Sequence, residues 1–327
     1  MDIQQTRSWP RSFHDRLTAE LPGFRDFLQA VRGNGPWPSK EAMARVGELP
    51  VKRSSGLPAA GPAETAVTWI GHATYAVQIG GLTILTDPVF SRRIPGVRAR
   101  ITPPGIDWAD LPKIDAIVIS HNHYDHLDGP TVKRLPRDTP VYVPAGLGRW
   151  FRRRSFTRVH ELDWWESARL GEVTIDFVPA HHWSRRTLTD TCKTLWGGWV
   201  FTAAGHRVYF AGDTGYGPFF GQIGERFPGI DLALLPVGAF EPSWMMRDWH
   251  TSPSEAVQAC LDLGATRMAT MHWGTSVLSA EPVLSPVERS REAWAATGRP
   301  REHLWDLAVG ESRSLSAVPD SLQAEPG

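Results

Sequence analysis

The chain has 327 residues, of which 41% are hydrophobic, and this suffices for one large core or two ordinary domains. Its 35 Lys and Arg residues balance its 35 Asp and Glu residues, so it lacks the basic excess typical of proteins that bind DNA or RNA. Two cysteines, Cys192 and Cys260, are too few for a disulfide framework. Without a secretory signal or a membrane-spanning apolar run, we expect a cytoplasmic protein, with a peripheral membrane contact left open.

Three regions of unlike composition divide the chain. Residues 1–60 mix short apolar patches with Arg, Pro and Gly, and we interpret them as an N-terminal extension that is partly flexible. Residues 61–315 carry the elements and motifs described below, which have to converge on one site, so they are predicted to form one domain. Residues 316–327 are predicted to be a disordered tail.

Strands and helices alternate through the domain. Three β-branched runs separated by Gly pairs predict an antiparallel meander over residues 66–70, 74–79 and 82–86. A nearly continuous apolar run at residues 115–120 is typical of a strand buried on both faces. Further strands are predicted at residues 173–180, 197–203, 207–213 and 231–239, and helices near residues 146–153, 217–226, 253–263 and 285–297. This mixture predicts two β-sheets packed together and covered by helices.

The segment directly after residues 115–120 carries the strongest functional signal. It places His121, His123, Asp125 and His126 within six residues on a strand-to-loop turn, so these side chains can point at one small volume. Imidazole suits zinc, iron, nickel and copper, and a carboxylate adds charge that can hold a second cation. The alternative is a polar loop with surface histidines, but HxHxDH directly behind an apolar strand favours a metal site.

A site for two metals needs more ligands than this segment provides, and three further candidates follow the ends of predicted strands. They are His182 after residues 173–180, Asp213 at the end of residues 207–213, and His272 after another apolar segment. Loops at strand ends commonly build functional sites, and Asp213 is placed to bridge both metals. His181 is a rival of His182 as a ligand, and the spacing alone does not separate them.

This order of ligands, HxHxDH followed by His, Asp in a GlyAsp element and His, resembles the metallo-β-lactamase superfamily. Within it, residues from about 66 to 315 resemble the N-acylphosphatidylethanolamine-hydrolysing phospholipase D family, whereas the first 60 residues do not match. The matching runs are WIGHATYAV (69–77), LTDPVFS (85–91), IDAIVISHNHYDHLD (114–128), ELDWWE (161–166), HWSRRTL (182–188), LWGGW (195–199), FAGDTGY (210–216), GAFEPSWMM (238–246) and HWGT (272–275).

The resemblance implies an α/β (α+β) fold, the metallo-β-lactamase αββα sandwich, in which helices flank two mixed β-sheets. It also implies a homodimer and two bound zinc ions, although Mn²⁺ or Fe²⁺ would fit much of the same ligand set. It selects His182 over His181, because the family's ligand directly precedes Trp. The implied ligands are His121, His123 and His182 for one zinc, Asp125, His126 and His272 for the other, and Asp213 as the bridge.

The function that the resemblance implies is that of a dinuclear zinc-dependent phosphodiesterase. It would hydrolyse N-acylphosphatidylethanolamine-like phospholipids in the manner of a phospholipase D, giving N-acylethanolamine and phosphatidic acid. Two cations roughly 3.5–4 Å apart neutralise a phosphodiester and bring the pKa of water towards about 7. We expect a hydroxide between the metals, oriented by Asp213 or Asp125, to attack phosphorus in line.

Further residues are candidates for the surroundings of this site. His72 and Asp87 are expected to fix the imidazole tautomers, although ordinary turn chemistry in AspPro explains Asp87 equally well. His250 is expected to act as a proton donor or to touch the substrate, with a packing or surface role as the alternative. Residues 240–249 are rich in Trp and Met, which predicts either an apolar surface for an acyl chain or ordinary core. The candidates for substrate binding are Phe240, Trp244, Met245, Met246 and Trp249.

Two rival functions belong to other classes. The same metals could serve a lactonase or a hydrolase of small phosphodiesters or esters, because a fold does not fix a function. The scaffold could also be a metal-bearing binding or sensor protein, but every ligand position holds a chemically competent residue. A β-lactamase is less favoured because nothing indicates export, and the neutral charge disfavours a nuclease.

Overall fold

The computed structural model describes residues 7–21, 23, 29 and 38–315. Its strands are β1 (Thr65–Gly71), β2 (Thr74–Ile79), β3 (Leu82–Thr86), β4 (Ala116–Val118), β5 (Val141–Pro144), β6 (Val159–Leu162), β7 (Ser167–Leu170), β8 (Val173–Val178), β9 (Gly198–Ala203), β10 (His206–Phe210), β11 (Leu232–Pro236), β12 (Arg267–Met271), β13 (Leu304–Trp305) and β14 (Ser312–Leu315). Its α-helices are α1 (Gly129–Val132), α2 (Gly148–Arg152), α3 (Phe219–Arg226), α4 (Ser243–Met246), α5 (Pro253–Asp262) and α6 (Ser285–Ala296). Short 3-10 turns lie at His14–Arg16, Val46–Glu48, Trp108–Asp110 and Arg301–His303.

The first sheet has the strand order β14-β1-β2-β3-β4-β5-β6. Its first three strands form the predicted antiparallel meander, in which Trp69 pairs with Tyr75 and Val77 with Ile84. From β3 to β6 the strands run parallel, and β4 is buried throughout, as its continuous apolar run predicts. The last strand, β14, returns to pair antiparallel with β1. The loops that follow the parallel strands therefore share one edge of this sheet.

The second sheet has the order β13-β12-β11-β10-β9-β8-β7. Its strands are antiparallel from β7 to β10 and parallel from β10 to β13, the same succession as in the first sheet. Strands β1 to β6 and strands β7 to β13 come from consecutive halves of the chain, which are joined by residues 163–166. Among the described strands, only β14 leaves the second half to complete the first sheet.

The main core lies between the two sheets and is rich in aromatic side chains. Trp69, Tyr75 and Trp199 are fully buried there. Two of them also join the sheets, because the Tyr75 hydroxyl donates to the carbonyl of Thr270 at 2.8 Å and Trp199 Nε1 donates to the carbonyl of Ile119 at 3.0 Å. Such polar ends are normally satisfied when Tyr and Trp are buried, and here they fix one sheet against the other.

Helices cover the outer faces of both sheets. On the first sheet, Val132 of α1 and Phe151 of α2 join a second apolar cluster with Ile117. On the second sheet, α5 packs against β11 and β12 and contacts α3 and α6. The arrangement is an αββα sandwich, so the predicted fold class is confirmed. No helix in the described part of the chain is long and apolar enough to cross a membrane.

Part of the N-terminal extension is built into the domain. Phe13 is buried in the main core, and its N–H donates to the carbonyl of Cys192 at 2.7 Å. Farther on, the N–H of Lys52 donates to the carbonyl of Val309 at 2.8 Å. The predicted division into an extension, a domain and a tail stays a prediction, and the tail at residues 316–327 lies outside the described residues.

Candidate metal centre

Four loops that follow strands bring the predicted ligands together. The HxHxDH segment follows β4, and the loops after β8, β10 and β12 carry His182, Asp213 and His272. The backbone around them is unusual, because His72, Asp87 and His272 all have positive φ angles, of 54°, 33° and 64°. L-residues rarely adopt this conformation, and such positions tend to cluster at functional sites.

The first ligand cluster consists of three imidazoles. Nδ1 of His123 lies 2.8 Å from Nε2 of His121 and 3.2 Å from Nε2 of His182. His121 and His182 are buried and His123 is partly buried, and these nitrogens converge on one point. The ring of His181 instead packs against Phe219, with 4.7 Å between their centroids, and it belongs to no ligand cluster of the described residues.

The second cluster adds a carboxylate to two further imidazoles. Oδ2 of Asp125 lies 3.5 Å from Nε2 of His126 and 3.6 Å from Nε2 of His272. Nε2 of His72 donates to the same oxygen at 3.1 Å. His72 therefore orients Asp125, a carboxylate, rather than one of the imidazoles that it was predicted to fix.

Asp213 lies between the two clusters. Its Oδ2 is 3.0 Å from Nε2 of His126 and 3.9 Å from Nε2 of both His121 and His182. Its Oδ1 is 3.1 Å from Nε2 of His272. One carboxylate thus reaches the imidazoles of both clusters, which is the geometry that a bridging ligand requires.

The donor atoms of the site have the chemistry of metal ligands. Burial lowers the pKa of His123 to about 4 and that of His182 to about 3, so both imidazoles are neutral at neutral pH and offer a lone pair. Within the described residues, Nε2 of His126, Nε2 of His272 and Oδ1 of Asp213 are buried without a hydrogen-bond partner. Orphaned buried atoms are costly, and a metal ion would satisfy all three.

A buried hydrogen-bond network contacts the Nδ1 atoms of His121 and His126, on the side of each ring opposite the Nε2 atom. Asp87 is fully buried, and its Oδ2 accepts from Nδ1 of His126 at 2.6 Å and from the Ser120 hydroxyl at 2.5 Å. The same hydroxyl lies 2.9 Å from Nδ1 of His121. Sequence reasoning proposed Asp87 but missed Ser120, whose one signal is its position directly before the HxHxDH segment.

Gly212 is required where the loops of the two sheets touch. A Cβ at this position would lie 2.4 Å from Cβ of Ser120, and the φ angle of Gly212 is 64°. A side chain would therefore collide with the network and strain the backbone. The glycine of the GlyAsp element lets Asp213 approach the loop after β4.

His250 lies beside the first cluster. Its ring centroid is 5.3 Å from that of His182 and 5.4 Å from that of His272. Burial lowers the pKa of His250 to about 3, so the imidazole is neutral at neutral pH and carries a single proton. Nδ1 of His250 is buried without a hydrogen-bond partner in the described part of the chain.

The predicted substrate-binding residues divide into buried and accessible side chains. Phe240 and Trp249 are buried, and the carbonyl of Trp249 accepts from Nδ1 of His182 at 3.0 Å. Helix α4 carries Trp244, Met245 and Met246, and Trp244 is 44% exposed. Only these three can offer substantial apolar surface to a ligand, and the substrate role of the whole set stays a prediction.

Comparisons with known proteins agree with this geometry. The profile of the beta-lactamase superfamily domain matches residues 83–273. N-acyl-phosphatidylethanolamine-hydrolyzing phospholipase D 1 of Caenorhabditis elegans is 37% identical over 259 residues, covering 74% of this chain and 72% of the relative. An uncharacterized protein of Mycobacterium tuberculosis is 44% identical over 236 residues, covering 68% of this chain but only 62% of that relative's length. Igni18, a metallo hydrolase of Ignicoccus hospitalis, superposes with a TM-score of 0.59 at 21% identity, over 77% of this chain and 99% of its own.

The chain belongs to the metallo-β-lactamase superfamily, and the relatives that it matches include proteins described as metal-dependent hydrolases. Within that superfamily it is similar to the N-acylphosphatidylethanolamine-hydrolysing phospholipases D. The resemblance predicted from the sequence is thereby confirmed.

Proposed function

We propose that the protein is a dinuclear zinc-dependent phosphodiesterase with phospholipase D activity. It would convert N-acylphosphatidylethanolamine-like phospholipids to N-acylethanolamine and phosphatidic acid. The observation that carries the proposal is the position of Asp213, whose carboxylate contacts imidazoles of both ligand clusters. The similarity to the Caenorhabditis elegans phospholipase supports the class of substrate.

The metals would be held by the side chains that converge in the two clusters. Bound there, two zinc ions would act as Lewis acids on a phosphoryl oxygen and would lower the pKa of water, and Mn²⁺ or Fe²⁺ could take their place. The proposed ligands are His121, His123 and His182 on one side, Asp125, His126 and His272 on the other, and Asp213 between them.

The protein's own groups would orient the reactants and move protons. Asp125 and Asp213 are acceptors that can orient the attacking water, and the contact with His72 fixes Asp125 for this task. The neutral imidazole of His250, which neighbours Asp213 and His182, could hold a proton for the leaving oxygen. His72 and Asp213 are buried and Asp125 and His250 are partly buried, which would strengthen charge interactions with a phosphodiester.

An acyl chain would need an apolar surface near this centre. We propose that Trp244, Met245 and Met246 on α4 provide it, with Phe240 and Trp249 as the buried support. We further propose a homodimer that contacts membranes peripherally. Light scattering and sedimentation with phosphatidylethanolamine vesicles measure these two properties.

The decisive experiment is hydrolysis of N-acylphosphatidylethanolamine in mixed micelles by metal-assayed protein, with the products identified by mass. We expect N-acylethanolamine to be released and a chelator to abolish the release. Asp213→Asn should lower turnover by at least about 100-fold, the upper end of losses seen when partners of metal ligands change. The exposed Asp138→Asn is the matched control and should retain full activity.

Two results would contradict the proposal. No release by protein that contains two metals would leave the hydrolase class intact and point to a small phosphodiester or lactone as the substrate. A D213N variant with full metal content and undiminished turnover would refute the bridging role of Asp213.

A further inference from the structure

Arg186 reaches from one metal-binding loop into another. It lies four residues after His182, and its Nη1 donates to the carbonyls of Leu127, Asn122 and His123 at 2.7, 3.0 and 3.3 Å. All three acceptors belong to the loop that contains the HxHxDH segment. A single guanidinium nitrogen thus fixes the backbone on both sides of Asp125.

Aromatic side chains flank the guanidinium of Arg186. Its central carbon lies 4.0 Å from the ring centroid of Tyr124, a residue of the same loop, and 5.8 Å from that of Trp150 on α2. The side chain is half-buried. Stacking and carbonyl acceptors together suit the planar, five-donor group of arginine and not the compact ammonium of lysine.

The backbone from which Arg186 extends is fixed as well. Oδ1 of Asp190 accepts from the N–H of Arg186 at 2.9 Å and from that of Thr187 at 2.7 Å. This short turn therefore presents the guanidinium from a rigid base. The chain segment after His182 is tied to the loop after β4 through Arg186.

We propose that Arg186 is a positioning residue that sets the relative placement of His182 and the ligands of residues 121–126. The inference deepens the proposed metal site and rests on it. Because a carbonyl oxygen is joined rigidly to its own Cα, restraining the carbonyls of residues 122, 123 and 127 restrains where the neighbouring ligand side chains point. Without the Arg186 guanidinium, water would hydrogen-bond to these carbonyls, and the ligand atoms would no longer converge.

The test compares Arg186→Gln and Arg186→Lys with Arg185→Gln as the matched control. Arg185 is exposed, and among the described residues its side chain donates only to the carbonyl of Thr187 in its own loop. In the full-length protein, Co²⁺ would be bound in place of the native metal, its visible absorption bands recorded, and its affinity measured against a chelator. These readouts need no substrate, so they remain decisive even if N-acylphosphatidylethanolamine is not hydrolysed.

We expect R186Q to bind Co²⁺ about 10-fold more weakly, as is typical when a group supporting metal ligands is removed, and to shift its absorption bands. R186K should fall between R186Q and the wild type, and R185Q should match the wild type. With bis(p-nitrophenyl) phosphate at saturating metal, kcat should fall while KM stays unchanged.

Two outcomes would overturn the inference. The first is a wild-type Co²⁺ affinity and spectrum in R186Q. The second is a raised KM with a wild-type spectrum, which would mean that Arg186 binds substrate instead of positioning ligands. Circular dichroism identifies a folding failure of R186Q, and the milder R186K variant then decides by the same criteria.

Discussion

The hydroxyl group of Ser120 lies between the imidazole of His121 and the carboxylate of Asp87. The hydroxyl has a single proton, which it donates to Oδ2 of Asp87 at 2.5 Å. Its oxygen can then only accept from Nδ1 of His121, which lies 2.9 Å away. This assigns the His121 proton to Nδ1 and leaves the lone pair of Nε2 facing the first cluster, as metal binding requires.

We predict that Ser120→Ala weakens zinc binding by about 10-fold, because Nδ1 of His121 loses its acceptor and the tautomer is no longer fixed. Competition with a chromophoric chelator measures the affinity. Ser314→Ala, at an exposed position on β14, is the matched control and should bind zinc as the wild type does. Equal affinities in the two variants would show that Ser120 does not orient His121.

Residues that bind through their own chemistry were predictable, and residues that act through another residue were not. Imidazoles and carboxylates after apolar strands are recognisable because few other side chains bind metals, and the structure brings all seven candidates together. Ser120 acts by one hydrogen bond, and Arg186 acts on carbonyls of residues that are distant in the chain. The contacts of Arg186 leave no pattern in the sequence, and the one signal of Ser120 is its position directly before the HxHxDH segment.

Helix α5 begins at the residue that the capping pattern in its sequence predicts. Pro253 occupies the first turn, the Ser252 hydroxyl accepts from the N–H of Glu255, and the Glu255 carboxylate accepts from the N–H of Ser252 at 2.8 Å. This capping box satisfies donors that a helix start leaves unpaired. The helix packs on β11 and β12, so its start also fixes the segment that follows His250.

Ser252→Ala should destabilise the protein by about 1 kcal/mol, the usual cost of losing an N-cap. For a domain of this size the melting temperature would fall by roughly 2–4 °C. Differential scanning calorimetry measures the change. Ser314→Ala, at an exposed position on β14 away from the cap, should have almost no effect, and an equal loss in both variants would exclude the cap as the cause.

The longer apolar strands were predicted, whereas several short strands were missed, among them the fully buried β5. The meander and the strand before His121 are confirmed, since β1 and β4 are buried along their whole length. Strands β6 and β7 escaped prediction because they have four residues each and lie at sheet edges, with half-exposed or exposed positions among them. Edge strands need fewer apolar residues and so give a weaker signal.

At the scale of the whole molecule, two buried imidazoles, those of His272 and His126, have raised pKa values. Burial lowers the pKa of His272, but the charge of Asp213 and the contact with Asp125 outweigh burial and raise it to about 9 in the metal-free protein. The same carboxylates raise the pKa of His126 against the effect of burial. Below these pKa values the imidazoles are protonated, so a metal has to displace protons when it binds.

We therefore predict that zinc raises the melting temperature of the metal-free protein more at pH 8 than at pH 6. Ligands that bind only the folded state stabilise it in proportion to the logarithm of their affinity, and proton competition weakens zinc as the pH falls. Thermal melts at fixed zinc concentration measure the shift. An equal rise at both pH values would contradict proton displacement at His126 and His272.

The two sheets come from consecutive halves of the chain. The candidate metal centre would therefore report whether two fragments of the protein reassociate. A break within residues 163–166 would leave the ligands of residues 121–126 on one fragment and His182, Asp213 and His272 on the other. Neither fragment could complete a ligand set. The last strand, β14, belongs to the second fragment and pairs with β1 of the first. This pairing would help to hold the two fragments together. Hydrolysis by a mixture of the two fragments would show that they reassociate, and we expect added zinc to promote the association.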